Sequence, residues 1–148
     1  MNYETLLKQI KSITEGEDNL IANLSNSVAL IHDSLGSLWA GFYFVDNEKK
    51  ELVLGPFQGP VACTRIPYGR GVCGDAWKKN KTICVENVHE YPGHIACSTL
   101  SNSEIVIPLL KDDTVVGVLD IDSRELNFFK DADIQGLESI SSYIQSLF

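Results

Sequence analysis

Three acidic residues give the clearest chemical signal in this sequence of 148 residues. In the predicted strand 115–122, the alternation of side chains puts Asp120 and Asp122 on one face, in line with two valines. Glu104 begins the neighbouring predicted strand, whose next residues are apolar. Because buried like charges are costly unless they are partnered or share a proton, three acids at the ends of adjacent core strands suggest a pocket for a cationic or protonatable ligand. The alternative is that each acid lies at a solvated strand end.

The second signal comes from the cysteines, at positions 63, 73, 84 and 97. In a chain without a secretory signal, cysteines are more often free, catalytic or redox-active than part of a disulfide framework. Cys84 lies in an apolar predicted strand, where we expect a small hydrophobic role. Cys97 lies in a long polar loop, 87–102, where exposure suits a reactive thiol; the alternative is a loop cysteine without a function. The spacing matches no common zinc pattern, and although a mixed site of His94 and Cys97 is an alternative, we expect no metal.

Residues 69–74 (GRGVCG) literally match the G-x-G-x-x-G pattern of dinucleotide-binding proteins. That interpretation requires a strand before the motif, a long helix after it and an acidic residue about 20 positions further on. Here Pro67 interrupts the approach, the helix can run only to about residue 80, and Glu86 comes too early. We therefore predict a tight turn whose glycines allow close backbone packing.

The periodicity of apolar residues predicts helices at both ends of the chain and β-hairpins between them. We expect helices over residues 3–12 and 17–35, the second ended by Gly36, and a last helix that begins near Asp131 as its cap. The expected hairpins and shorter elements are 38–45 with 51–54, 104–110 with 114–121, strands near 62–66 and 82–85, and a brief helix between those two strands. This order predicts an α+β domain, residues 1–148, on a mostly antiparallel sheet.

Aromatic residues mark one face of the first predicted strand. Trp39, Gly41 and Tyr43 share that face, so the strand offers an aromatic wall with a small gap at the glycine. Such residues are most often plain core, and the alternative is that they line a ligand cavity.

Composition narrows the classes of partner. Twelve Lys and Arg residues stand against 20 Asp and Glu residues, which gives a formal net charge of −8. This charge argues against nucleic acid, an anionic membrane or an anionic nucleotide as a partner. There is no run of roughly 18 apolar residues that a membrane-spanning helix needs and no secretory signal, so we expect a cytoplasmic protein.

Seven segments, in order, resemble the free methionine-(R)-sulfoxide reductases, which are enzymes built on a GAF domain. The segments are WAGFY (39–43), LGPFQG (54–59), AC (62–63), GRGVCG (69–74), GHIAC (93–97), SNSEIV (101–106) and GVLDIDS (117–123). The resemblance covers essentially the whole chain. It implies a single GAF domain, with the N- and C-terminal helices packed on one face of the central sheet.

The resemblance also implies the reaction, in which free L-methionine-(R)-sulfoxide is reduced to methionine. Cys97 matches the catalytic cysteine, Cys63 its disulfide partner, and Cys73 the third motif cysteine, which can assist resolution. The pocket acids and the aromatic lining correspond to Glu104, Asp120, Asp122, Trp39 and Tyr43. No bound cofactor is implied; thioredoxin or another dithiol is the external reductant, and a homodimer is possible. The sequence leaves open which acid donates the proton and whether Cys63 or Cys73 resolves first.

Two other functions compete with the reductase. One is a GAF module that binds a small ligand, such as a cyclic nucleotide or an amino acid, as a sensor. The other is a thiol switch whose cysteines signal without turnover. The switch explains the cysteines but not the coincident carboxylates, and an acidic pocket disfavours an anionic nucleotide.

Overall fold

The computed structural model describes residues 1–94, 97 and 99–148; two residues of the predicted 93–97 motif, 95 and 96, lie outside this range. The elements in chain order are α1 (Tyr3–Thr14), α2 (Leu20–Leu35), β1 (Trp39–Asp46), β2 (Glu51–Gln58), β3 (Arg65–Pro67), α3 (Gly71–Lys79), β4 (Ile83–Val85), a short 3-10 helix (Val88–Glu90), β5 (Ser103–Lys111), β6 (Thr114–Ser123) and α4 (Asp131–Gln145). No helix among these residues is both long and apolar enough to cross a membrane.

Six strands form one sheet in the order β3-β2-β1-β6-β5-β4. All described pairings are antiparallel, so the predicted α+β class is confirmed. Both predicted hairpins are present, and the second turns at Asp112 and Asp113, which have φ values of 52° and 63°, as a tight two-residue hairpin requires. The hairpins join through β1 and β6, which places the two middle strands of the sheet side by side.

The two faces of the sheet have separate cores. The three long helices α1, α2 and α4 cover one face, which confirms that the terminal helices share a side; apolar residues of this core include Leu6, Leu24, Val28, Phe42, Leu119, Ile121, Leu137 and Ile140. The short helix α3 covers the other face, with Val72, Cys73 and Ala76 packed among residues of β1, β5 and β6. Alternation along β1 and β6 therefore sends every second side chain towards α3.

The predicted end of α2 is confirmed, whereas the predicted cap of α4 is not. Gly36 ends α2 with a φ of 59°, a left-handed conformation that glycine adopts without strain. The prediction that Asp131 caps α4 was wrong, because Lys130 occupies the cap position and its backbone amide donates to the Asp133 side chain at 2.9 Å. The side chain of Asp133, inside the first turn, accepts the hydrogen bond from this amide at the start of the helix. A sequence pattern that considers only the residue before the helix does not predict this contact.

Residues 69–74 form the predicted tight turn. Gly69 and Gly71 have φ values of 74° and 62°, and a Cβ on Gly74 would lie 2.8 Å from the carbonyl oxygen of Pro67. The strand before the turn, β3, is a three-residue edge strand of an antiparallel sheet, not the parallel strand of a dinucleotide fold. The glycines therefore let the turn close and let α3 begin directly after it.

Candidate active site

A cavity lies on the α3 side of the sheet, between the first turn of α3, residues 60–62 and the ends of β5 and β6. Seven of the eight site residues predicted from the sequence line it: Trp39, Tyr43, Cys73, Cys97, Glu104, Asp120 and Asp122. The eighth, Cys63, is bonded to Cys97. The sheet, α3 and the loop 87–102 thus bring together residues that are distant in sequence.

The strand register explains why the three acids meet. Glu104 on β5 lies opposite Asp122 on β6, and Asp120 and Asp122 lie opposite Gly41 and Trp39 on β1. Glu104 and Asp120 are each only 6% exposed. The interpretation of the acids as solvated strand ends is therefore wrong for these two, which form part of a buried wall.

Burial decides the protonation of this wall. It raises the pKa of Glu104 and of Asp122 well above the ordinary range, and the nearby charge of Asp120 raises both further. Burial also raises the pKa of Asp120, but hydrogen bonds with Glu104 and with the Cys73 thiol act against that rise. The hydrogen-bond partners of Asp120 thus favour its ionised form, whereas burial and the Asp120 charge favour the protonated forms of Glu104 and Asp122.

Asp120 has an unusual hydrogen-bonding environment. Its Oδ1 atom is buried and has no hydrogen-bond partner among the described residues. The Cys73 sulfur, a Glu104 oxygen and an Asp120 oxygen lie within 4.8 Å of one another. Cys73 is 4% exposed, and burial followed by the nearby acids raises the pKa of its thiol. Cys73 is thus a protonated donor in the cavity wall.

The other two motif cysteines lie at the cavity mouth and are joined. Cys63 and Cys97 form a disulfide with a Cα–Cα distance of 5.5 Å, across 34 positions of sequence. Cys97 is exposed and Cys63 is partly buried. The structure therefore represents the oxidised form, with the pairing that the resemblance implied. Cys84 lies on β4 and is partly buried on the opposite side of the sheet, against the core that α1, α2 and α4 cover. Its apolar strand predicted this position.

The aromatic residues of β1 hold the segment that carries Cys63. The Trp39 indole nitrogen donates to the Pro60 carbonyl at 3.1 Å, and the Tyr43 hydroxyl donates to the Cys63 carbonyl at 2.8 Å. The expected gap at Gly41 is absent, because the Trp39 ring lies over it: a Cβ there would be 2.3 Å from the ring. Both aromatics line the cavity, and Trp39 also stacks on Phe57 at 5.4 Å.

Comparison with known proteins agrees with this geometry. The sequence model of the GAF domain family matches residues 24–148. The chain is 55% identical to GAF domain-containing protein A of Dictyostelium discoideum, over 93% of this chain and 87% of that protein. It is 44% identical to the free methionine-R-sulfoxide reductase of Escherichia coli, over 98% of this chain and 87% of that protein. The free methionine-R-sulfoxide reductase of Neisseria meningitidis, solved in complex with its substrate, superposes with a TM-score of 0.96 at 49% identity, covering 99% and 87% of the two chains.

The chain belongs to the free methionine-R-sulfoxide reductase family, and its domain is a GAF domain. A member of this family is an oxidoreductase, so the chain is an enzyme of that class. The family assignment and the cavity rest on different observations, because the cavity is seen in the packing of α3, residues 60–62 and the ends of β5 and β6.

The structure gives His94 a place in the acid wall and adds Ser101, which the sequence analysis did not select. His94 Nε2 lies 3.9 Å from Glu104 Oε1, and burial followed by the neighbouring His89 lowers the pKa of His94, so its ring is neutral at pH 7. Ser101 donates to Asp122 at 3.0 Å. Both residues belong to the loop 87–102, and its length and polarity were the signal that marked it as functional.

The loop 87–102 is tied to α3. The Tyr91 hydroxyl donates to the Asp75 carboxylate at 2.5 Å, and the Val88 amide donates to the Asn102 carbonyl at 3.0 Å. The Tyr91–Asp75 hydrogen bond links the loop to the helix that also carries Cys73, and the Val88–Asn102 hydrogen bond joins the two ends of the loop. No local sequence pattern predicts a contact between Tyr91 and Asp75.

Proposed function

We propose that the protein reduces free L-methionine-(R)-sulfoxide to L-methionine, with Cys97 as the nucleophile. The single observation that carries the proposal is the position of the Cys63–Cys97 disulfide at the mouth of a cavity walled by three acids. A redox-active sulfur and proton-bearing oxygens at one enclosed space are the two components that sulfoxide reduction needs.

The first step needs a proton on the leaving oxygen. In the reduced enzyme, Cys97 Sγ attacks the sulfoxide, the substrate sulfur–oxygen bond breaks and a sulfur–oxygen bond forms on Cys97. The sulfoxide is thereby reduced to methionine and the Cys97 thiol is oxidised to a sulfenic acid. The proton lost by the Cys97 thiol balances the proton taken up by the oxygen, so this step has no net proton change. Glu104 and Asp122 are the proton donors of the proposal, because their pKa values are raised well above the ordinary range.

The same acids are poor activators of the thiol, since nearby carboxylates raise a thiol pKa. They suit the substrate better. The Asp120 carboxyl, with a buried oxygen that lacks an amide or hydroxyl donor, is matched to the ammonium group of a free amino acid by a charge-assisted hydrogen bond. The apolar faces of Trp39 and Tyr43 are matched to the methylthio end.

Recycling uses the disulfide. The Cys63 thiol condenses with the Cys97 sulfenic acid, which forms the disulfide and releases water. An external dithiol, proposed to be thioredoxin, then reduces the disulfide and is itself oxidised. The exposure of Cys97 at the surface supports access by such a partner. That Cys73 assists resolution stays a prediction; its burial and its contact with Asp120 favour Cys63 as the resolving residue.

The test is a direct assay of methionine release. We expect the purified, reduced protein with dithiothreitol to release methionine from the free R epimer and not from the S epimer. It should also fail on an N-acetylated, C-amidated sulfoxide, because the buried acids would then face no ammonium. Cys97→Ser should abolish release.

Two outcomes would overturn the proposal. One is no methionine from the free R epimer with fully reduced enzyme. The other is stoichiometric methionine from the Cys97→Ser variant, which would move the nucleophile elsewhere. Ligand binding without turnover in the wild-type chain would favour the sensor function instead.

A further inference from the structure

The first step of the proposed reaction moves two protons at different places in the cavity. A buried acid gives one proton to the leaving oxygen, and the Cys97 thiol loses another. Glu104, one of the two proposed donors, is only 6% exposed, so water has little access to its carboxyl group. A carboxylate left in this buried wall is costly and has to regain its proton before the next cycle. The reaction therefore needs a group that returns a proton to the acid.

His94 is the side chain in contact with Glu104 on the cavity side. Its Nε2 atom lies 3.9 Å from Glu104 Oε1, and both residues line the cavity. The His94 side chain is 15% exposed, whereas that of Glu104 is 8% exposed. A shift of about 1 Å would bring the two atoms to hydrogen-bond distance. The other proposed donor, Asp122, accepts a hydrogen bond from Ser101 instead.

His94 differs from the other two histidines of the chain in the state of its ring. His89 Nε2 is hydrogen-bonded to Asn102 Oδ1 at 2.8 Å, and His32 Nδ1 is hydrogen-bonded to Ser37 Oγ at 2.8 Å. Neither of these histidines lines the cavity. The His94 ring has no hydrogen bond with any described residue. Both of its nitrogens are therefore available for proton exchange.

The surroundings of His94 keep its ring neutral, as a proton acceptor must be. Burial, followed by the nearby His89, lowers the pKa of His94, and Glu104 on β5 is the acid in contact with it. The other charged or titratable side chains of the described cavity wall are those of Tyr43, Arg70, Cys73, Cys97, Asp120 and Asp122. Among the described wall residues, His94 is thus the one neutral base at pH 7.

The thiol that loses a proton belongs to the same loop as His94. Cys97 follows His94 by three positions, and both residues line the cavity. Three residues of chain span at most about 11 Å, so the two side chains remain neighbours in the reduced enzyme. The acids of the wall raise the pKa of a nearby thiol, so they do not help it to lose its proton. A neighbouring imidazole is a base that activates a thiol for attack.

We propose that His94 carries the proton of the Cys97 thiol to Glu104, and that Glu104 is the acid that protonates the leaving oxygen. This inference rests on the proposed function and names the proton path of that reaction. Glu104 gives its proton to the oxygen as the substrate sulfur–oxygen bond breaks and a sulfur–oxygen bond forms on Cys97. The imidazole takes the thiol proton and then gives a proton from Nε2 to the Glu104 carboxylate. The sulfoxide is reduced, the thiol is oxidised to a sulfenic acid, and no proton is gained or lost.

The test follows the first turnover of fully reduced enzyme, which does not depend on recycling. Rapid quench at pH 7 measures the methionine released from the free R epimer. The variants are His94→Gln, Glu104→Gln and the double variant His94→Gln/Glu104→Gln. His89→Gln is the matched control, because it removes an imidazole of the same loop that does not line the cavity.

We expect His94→Gln to slow the first turnover by about 100- to 10,000-fold, as loss of a general acid–base group does, and His89→Gln to stay within about threefold of the wild type. Since both residues act on one path, the double variant should be less than about threefold slower than the slower single variant. A first turnover of His94→Gln within about threefold of the wild type would overturn the inference. Multiplicative effects in the double variant would overturn it too.

The pH profile distinguishes a proton carrier from a residue that only holds the loop. A protonated ring cannot accept the thiol proton, so the wild-type rate should fall as the pH drops below the ordinary histidine value of about 6.5. His94→Gln should lack this acid limb, and His89→Gln should keep it. A slow His94→Gln variant with an unchanged acid limb would give His94 a structural role and would overturn the inference.

A measurement on the thiol itself separates this inference from the proposed function. Alkylation of Cys97 by iodoacetamide, followed across pH by mass spectrometry of the peptide that contains Cys97, needs no sulfoxide. His94→Gln should raise the apparent pKa of Cys97, because the imidazolium that pairs with the thiolate is lost, and His89→Gln should not. If the wild type releases no methionine but shows this shift, the proposed function fails and the proton transfer from Cys97 to His94 stands. If the wild type releases methionine without this shift, the inference fails and the proposed function stands.

Discussion

Gly41→Ala tests whether the Trp39 ring is part of the site or only part of the core. The new Cβ would lie 2.3 Å and 2.8 Å from two atoms of the Trp39 ring and 2.6 Å from Phe57 Cβ. The ring cannot move away freely, because Trp39 is 5% exposed and is stacked between Tyr43 and Phe57. The substitution therefore pushes the indole towards the cavity and disturbs its hydrogen bond to the Pro60 carbonyl.

The magnitude follows from overpacking. A methyl group forced into a packed core costs about 1–3 kcal/mol, and in a chain of this size a cost of about 2 kcal/mol lowers Tm by about 4–8 °C. A displacement of about 1 Å at a substrate-positioning wall can cost as much as about 100-fold in rate. We expect Gly41→Ala to lower kcat/KM for the free sulfoxide by about 10- to 100-fold.

Gly55→Ala is the matched control. Its Cβ would lie 2.7 Å from the Phe44 ring, which packs with the first core and against Phe148 on the far side of the sheet. The unfolding free energy, from urea titration, should fall by a similar amount in both variants, while Gly55→Ala keeps kcat/KM within about threefold. If Gly41→Ala is destabilised but retains its kcat/KM, Trp39 is core and not substrate wall. If it is not destabilised, the packing argument itself is wrong.

Three further predictions concern the cysteines, the acids and the loop. Cys63→Ser should release about one methionine per reduced chain and then fail to turn over with thioredoxin, because no disulfide can form for thioredoxin to reduce. A quench assay measures this release, and sustained turnover with thioredoxin would contradict the prediction. For Glu104 and Asp122, the folded pKa is raised above the unfolded value, so their contribution to stability is fully present below a pH of about 4 and is lost as the pH rises towards the folded value. Glu104→Gln and Asp122→Asn should therefore gain stability over the wild type increasingly from pH 4 to pH 8 in thermal melts, and both should lose activity; a gain that does not depend on pH would count against this assignment. Tyr91→Phe removes the hydroxyl that donates to Asp75, which should lower the free energy of unfolding by about 0.5–1.5 kcal/mol. Hydrogen exchange of the amides of residues 88–91 should then accelerate. Unchanged exchange would mean that this contact does not hold the loop.

The convergence of the acids could be predicted because it depends on local alternation. Once β5 and β6 form a hairpin, the period of two along each strand brings Glu104 and Asp122 opposite each other. The turn at residues 111–113 sets that register, and the turn is visible in the sequence. The face on which a side chain of the two central hairpins lies could therefore be predicted from the sequence.

The surroundings of Gly41 and Cys63 could not be predicted, because they depend on contacts between segments whose distance no local pattern encodes. The Tyr43 hydroxyl meets the Cys63 carbonyl across 20 positions of sequence, and the Trp39 ring fills the space that the glycine leaves. Strand alternation gives the face of a side chain but not its rotamer. The expected gap was wrong for that reason.

Arg70 shows a different limit. The glycines of residues 69–74 predict a tight turn and a short helix, and the structure has both. The direction in which the turn faces is not visible in the sequence, because it depends on how β3 pairs with β2, and a strand of three residues gives almost no sequence signal. The sequence therefore did not predict that Arg70, which lies between the two glycines, lines the cavity. It is the one Lys or Arg among the described residues of the cavity wall.

The buried acids connect stability to the proposed selectivity. The Asp120 carboxylate has hydrogen bonds with Glu104 and Cys73, but its buried Oδ1 atom has no partner among the described residues. Such an unpaired group costs free energy that the core on the opposite face must offset. On the proposed reaction, the ammonium of the substrate removes this cost and a peptide-bound residue does not. Selection of the free amino acid then needs no clash with the polypeptide, because the acid wall left unpaired is itself the penalty.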